Sequence, residues 1–363
     1  MPRISTAVLM LVAMALSACT TAAAPSPSAP TSPGETPVVI PSNGPESGDG
    51  SPSPSAPDLP DEHPALGLAF SQFLEEGGSE SQIFVVEADG SLRQVTGLGG
   101  QSPGASRPAW SPDRSQVAFG PPKVGASGVV GEVFVVNADG SGERSLGPGE
   151  KPRWSPDGTR LLVSEVDDVT SEPRSQWIVD VATGEVTDLG IGFNGQWLPD
   201  GERIAFRRQV DTADGSFADA IFIRTLATGE EQELGSESES DAFWAPDGSS
   251  VLIATGNSIV RAEPDGSNPR DLVGGFAPAW SPDGERVLFG YDFDQDGTPV
   301  LAVVDLDGET VWSGTAGLNP VWSPDGTRIA VEIPVPQPMI RILDAASGEV
   351  LWEVEGMEPS WSS

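Results

Sequence analysis

Few residues in this chain could do chemistry, and the clearest group is the stretch Tyr291-Asp292-Phe293-Asp294-Gln295-Asp296-Gly297-Thr298. Oxygens at alternate positions (Asp292, Asp294, Asp296), then a glycine for a sharp turn and a carbonyl from Thr298, are what a tight loop offers Ca2+. The ninth position of that pattern is Val300 and the twelfth Val303, so the acidic residue that would close the shell is missing. Asp305 lies further along the next strand. Asp292, Asp294, Asp296 and Thr298 are therefore a candidate Ca2+ loop, with a plain acidic hairpin as the alternative, and no other cofactor is called for.

The rest of the reactive inventory is thin. The single histidine is His63 and the single cysteine is Cys19. No histidine-based triad or His/Cys metal cluster can be assembled beyond residue 63, and no disulfide can form within the chain. Carboxylates are abundant, with 54 Asp and Glu, so an Asp/Glu pair working as acid and base is the one catalytic arrangement the composition permits. The expectation is a protein that is not an enzyme, the alternative being a carbohydrate-active hydrolase or lyase with paired carboxylates. The 19 Lys and Arg leave a formal charge of −35, which repels phosphate backbones and excludes nucleic acid as a partner. Such a charge attracts cations or a basic protein face, or simply keeps the chain soluble.

These residues need elements to position them. Residues 1–18 hold one arginine followed by the uncharged run ISTAVLMLVAMAL, too short to span a bilayer and suited to the apolar core of a secretory signal. Leu16-Ser17-Ala18-Cys19 resembles the lipobox of bacterial lipoproteins, which implies cleavage before Cys19 and acylation of its thiol. An ordinary cleaved signal is the alternative. Residues 19–63 (TTAAAPSPSAPTSPGETP and onward) are rich in Pro, Ser, Ala and Gly and read as a disordered tether, because they cannot bury enough apolar surface to offset ordering entropy.

Residues 64–363 repeat. The phrase W-x-P-D occurs at Trp110, Trp154, Trp197, Trp244, Trp280 and Trp322, and Trp361-Ser362 begins it a seventh time. A period near 40 with four short strand-like runs per unit is that of a propeller blade. In the unit KPRWSPDGTRLLVSE, Pro156 pre-sets φ, Asp157 tolerates the third turn position and Gly158 takes positive φ, so one strand ends at Trp154 and an alternating one begins at Thr159. A second hairpin appears as ADGS, ATGE, PDGS, LDGE or ASGE at 88, 138, 182, 227, 264, 306 and 346, seven times against six complete turns of the first kind. The count predicts an all-β, seven-bladed propeller with one shared blade: three N-terminal strands (66–71, 82–87, 92–96) completed by a C-terminal strand around Pro359–Trp361. Recurring at equivalent positions, the tryptophans are expected to be inter-blade core rather than a ligand-stacking cage.

The W-S-P-D-G phrase followed by an apolar strand resembles the TolB-like propeller repeat, a relative of WD repeats, with Arg114, Leu198 and Ala245 as departures at turn positions. The 292–298 loop resembles both the EF-hand loop and the calcium loops of some propeller hairpins. The resemblance implies docking to envelope proteins. The expected protein is thus an extracytoplasmic, monomeric propeller, tied to a bacterial membrane by lipid on Cys19. It would bind an envelope or cell-surface protein, possibly a basic one; a Ca2+-dependent adhesin is a further alternative. The variable acidic loops 73–82, 165–175 and 209–220 lie opposite the SPDG turns, and the binding face is expected there, near the axial opening.

Overall fold

The computed structural model describes residues 63–75, 80–97, 104–120, 131–164, 175–211, 215–235, 241–295, 297–334 and 338–361, within the unit Leu59–Ser363. Cys19, the tether and Asp296 lie outside the described residues.

The described strands form seven four-stranded antiparallel sheets, and no helix occurs among the described residues. Blade 2 shows the pattern from axis to rim: Ser106–Trp110, Gln116–Gly120, Glu132–Asn137, Arg144–Pro148. Blades 3 to 7 repeat it from the first strands Glu150–Trp154, Phe193–Trp197, Asp241–Trp244, Phe276–Trp280 and Leu318–Trp322. Blade 1 is the shared one. Its first strand is Met357–Ser360, followed by Ala69–Phe73, Ser81–Val86 and Leu92–Gln94. Ala69 pairs with Ser360 and Ser71 with Met357, and the Trp361 indole N–H donates to the Leu66 carbonyl at 3.2 Å. Closure by both extremities of the described propeller leaves no unpaired first strand.

The second strands are not half-buried, as alternation would have them. Leu161 to Ser164 and Val117 to Gly120 are buried at every position. A blade packs neighbours on both faces, so its middle strands read as continuous apolar runs, like strands of a covered parallel sheet. The core is accordingly divided. Seven apolar clusters each join two neighbouring blades; one links Ala65, Leu68, Phe70 and Trp361 with Ala330, Ile340 and Ile342 across the seam between blades 1 and 7.

The SPDG turn is built by its own side chains. Ser155 Oγ donates to Asp157 and accepts the Arg160 N–H at 3.0 Å, while Asp157 Oδ1 accepts the Thr159 N–H at 3.0 Å. The last turn position lies at φ 66° to 73° in five glycines and at 61° in Arg114, which takes the left-handed conformation without a glycine's freedom.

The tryptophans tie blades together beyond packing. Trp154 Nε1–H donates to the Ala109 carbonyl (2.8 Å), Trp197 to Arg153 (3.0 Å), Trp280 to Phe243 (2.8 Å) and Trp322 to Ala279 (3.3 Å). Each acceptor immediately precedes the tryptophan of the preceding blade, so four of the seven form a repeated staple. Blades 1, 2 and 5 depart from it. Trp361 reaches Leu66, the buried Trp110 Nε1 has no partner, and Trp244 turns to Pro264 in its own blade (3.1 Å). Between blades 4 and 5 the Gln196 amide donates to the Ala242 carbonyl instead.

Candidate functional site

Each first strand runs from the loop face to the turn face, so the residue three before its tryptophan sits at the loop-side mouth of the axial channel. These seven residues are Arg107, Lys151, Asn194, Asp241, Ala277, Asn319 and Glu358. In six of them φ lies between 47° and 54°, and the ladder to the second strand shifts register beside them. A bulge therefore re-aims one side chain per blade at the mouth, against a left-handed backbone cost of about 1–2 kcal/mol for each non-glycine residue. Asp241 is the exception: blade 5 pairs in regular register, without the bulge.

The mouth residues form two polar clusters. Glu358 accepts from Ser71 Oγ (3.0 Å) and the Arg107 backbone N–H (2.6 Å), and Arg107 also reaches Glu150 at 3.1 Å. Glu332 accepts from the Glu358 N–H (2.9 Å) and the Asn319 amide (3.0 Å). On the far side Arg207 bonds Asp219 (2.7 Å) and Asp241 (3.3 Å). Five carboxylates (Glu150, Asp219, Asp241, Glu332, Glu358) stand with four cations, Arg107, Arg207 and the ring's Lys151, and Arg153 acting on Asp241 through charge, which leaves the mouth net acidic. Burial holds the Asp241 carboxyl above the usual carboxylate range, and Arg207, Asn194 and Arg153 offset that only in part.

The loops expected to carry recognition, 73–82, 165–175 and 209–220, fall partly or wholly outside the described residues. Phe217, beside the 209–220 loop, is 65% exposed, and Phe293, at the 292–298 hairpin, is 57% exposed and stacks on Phe276 at 5.0 Å.

Of the candidate Ca2+ residues, Asp292 lies in the strand Arg286–Phe293, paired with Val300, and its Oδ1 accepts the Phe293 N–H. Asp294 Oδ1 accepts the Thr298 N–H (2.8 Å), and the Asp294 N–H donates back to the Thr298 carbonyl (2.9 Å). These two groups thus close the hairpin between them. Asp305 points elsewhere, accepting the N–H groups of Asp307 and Glu309 in its own turn. Among the described residues no three carboxylate, His or Cys side chains gather as a metal site.

The model of the TolB beta propeller domain family matches residues 74–313. The chain belongs to that family. Solved structures with the same architecture include TolB from Acinetobacter baumannii: 16% identity, 82% of this chain, 66% of that one, TM-score 0.49. An oligogalacturonate lyase from Vibrio parahaemolyticus is 16% identical over 67% of this chain and 76% of its own, with a TM-score of 0.51. A prolyl endopeptidase is 13% identical over 81% of this chain, with a TM-score of 0.57; the chain spans only 51% of its length. No curated protein matches the chain.

These neighbours overturn one expectation. The composition points to a non-enzyme, because His63 is the single histidine and lies at the end of the tether. A lyase and an endopeptidase share the TolB-like propeller, so the fold gives no argument against catalysis. The physical reason is that activity resides in side chains set on a scaffold, and carboxylates with arginines suffice for acid–base chemistry.

Sequence reasoning missed the mouth ring. Its only local signal was Asn at 194 and 319, a residue that tolerates positive φ, three positions before a tryptophan.

Proposed function

We propose that this TolB-like propeller is an extracytoplasmic lipoprotein, anchored through acyl chains on Cys19, that binds a basic segment of an envelope protein at the loop-side mouth of its axial channel. The mouth ring carries the reading: six bulged positions hold side chains there at a backbone cost, and the resulting surface is acidic. Net charge of −35 steers a basic partner toward it. The tether spaces the propeller from the membrane.

The acidic side chains supply the test. Glu150→Gln and Glu332→Gln remove two mouth charges and leave the backbone as it is. The full-length chain should retain an envelope protein from membrane extract, and the double variant, equally folded, should lose it. Equal capture by both rejects the mouth as the binding site. Labelled palmitate should enter the wild-type protein and not Cys19→Ser; an unlabelled wild type removes the anchor.

A second reading has one observation in its favour. Asp241, raised by burial and flanked by Arg207, is placed as a proton donor at the axis, and a lyase shares the fold. Turnover of an acidic polysaccharide that Asp241→Asn abolishes would favour it; no turnover would remove it. The Ca2+ reading is likewise kept as a proposal, on the spacing of Asp292, Asp294 and Asp296. Its check is a rise in melting temperature with millimolar Ca2+, and an unchanged melt refutes it.

A further inference from the structure

The face opposite the mouth has a site of its own. On the turn side the axial channel opens into a cavity of about 530 Å³, off-centre toward blades 1 to 5. Its walls are the rings of Trp110, Trp154, Trp197 and Trp361 and of turn prolines such as Pro156 and Pro199, with Arg153 as its one charged lining group; the unpartnered Trp110 Nε1 is itself buried and offers the cavity no exposed donor. Trp244 is not among the lining residues and gives its N–H to the Pro264 carbonyl of its own blade.

The tryptophans are therefore not core alone. Trp154 and Trp197 stay half-buried. Their N–H groups, and that of Trp361, are already given to Ala109, Arg153 and Leu66 carbonyls, so they present ring surface without free donors. The Gln196 amide is likewise engaged with Ala242. A saccharide would bring hydroxyls that such walls cannot satisfy. A polyproline II segment suits them, because proline offers a rigid apolar ring and no N–H to pair, and its carbonyls remain solvated.

Arg153 adds the second half of the argument. It stands open to solvent inside the channel, and no hydrogen bond or ion pair reaches its guanidinium among the described residues. The surrounding protein pulls its pKa down through desolvation, and Asp241 counters this through charge alone. In a chain with 54 acidic and 19 basic residues, a cation left unpaired in an aromatic cavity is set for an anion brought from outside.

We infer that the turn-side cavity binds a proline-rich peptide segment whose flanking carboxylate pairs with Arg153 while its prolines pack on the Trp154, Trp197 and Trp361 rings. The site opens on the face opposite the mouth, and Arg153 and Asp241 act on each other through charge between the two.

The test is fluorescence anisotropy of the full-length chain with a labelled peptide of sequence PPDPPDPPDPPD at about 0.15 M salt, where the repulsion between an acidic peptide and a chain of net charge −35 is screened beyond about 8 Å. Saturable binding is expected, weakened about tenfold or more in Arg153→Glu, where a charge-assisted contact becomes a repulsion, and several-fold in Arg153→Gln. Replacing the peptide's prolines with alanine should abolish binding, since the rigid rings are lost. No saturation at millimolar peptide, equal binding by both arginine variants, equal binding of the alanine peptide, or binding of cellohexaose instead of the peptide would each overturn the inference.

Discussion

Replacing each of two tryptophans with phenylalanine should give different costs, although both stand at the same place in the repeat. Trp154 Nε1–H donates to the Ala109 carbonyl at 2.8 Å, so Trp154→Phe loses a hydrogen bond of about 0.5–1.5 kcal/mol net. Trp110 is 8% exposed and its Nε1 is buried without a partner. Trp110→Phe therefore removes an unmet donor, a gain of about 1–3 kcal/mol that offsets the lost ring volume. Trp110 is the more deeply buried ring and loses more apolar area, which offsets part of a polar difference of roughly 1.5–4.5 kcal/mol, so Trp154→Phe should still be the more destabilising, by roughly 1–2 kcal/mol. Urea unfolding followed by far-UV circular dichroism reads this as a lower midpoint at equal slope. Equal midpoints for the two variants, or a lower one for Trp110→Phe, would refute the staple as a blade-to-blade bond.

Arg114 occupies the left-handed position that glycine fills in five sister turns, so Arg114→Gly should stabilise by about 1 kcal/mol, read as a higher urea midpoint. Gly275→Ala should be strongly destabilising, because the added methyl would sit 2.7 Å from the Gly290 carbonyl and against the Phe289 ring; an unchanged midpoint would contradict that packing. The Ser111 hydroxyl, then the Ser115 N–H, hold the Asp113 carboxyl below its usual range, and Ser155 does the same for Asp157. A depressed carboxyl stabilises the fold above the unfolded value of about 4 and loses that contribution as pH falls through the folded value. Stability from these turns should be flat from pH 7 to 5 and fall below about pH 4, a limb that Asp157→Asn flattens in acid titration.

How much of this was legible in the sequence depends on which kind of signal a residue leaves. The Trp-x-Pro-Asp phrase and the Gly of the second hairpin mark turns, and turn chemistry is local; all seven second-hairpin glycines have positive φ, and the sevenfold count follows. The shared blade was legible because the two counts disagree by one. Arg114 was read as a harmless departure, although it carries backbone strain. The bulges at Arg107, Lys151 and Glu358 left no trace, because their residue types do not announce positive φ; the blade's twist imposes it. The turn-side cavity was hidden for a different reason. Equivalent tryptophans look interchangeable in the sequence, yet Trp110, Trp154, Trp197 and Trp361 line the cavity while Trp244 bonds Pro264 in its own blade. The acidic 292–298 loop shows the limit of motif reading: Asp294 and Thr298 bond each other first, and spacing alone does not reveal that.

The most direct measurement of ring closure is the melting of a chain lacking Met357–Ser363. The deletion removes the first strand of blade 1, the Trp361 contact with Leu66 and the Glu358 bonds to Ser71 and Arg107, and it exposes the Ala69–Phe73 edge. A sharply lower melting temperature with early aggregation is the predicted result. A truncated protein that melts with the intact one would contradict a propeller closed by its two ends.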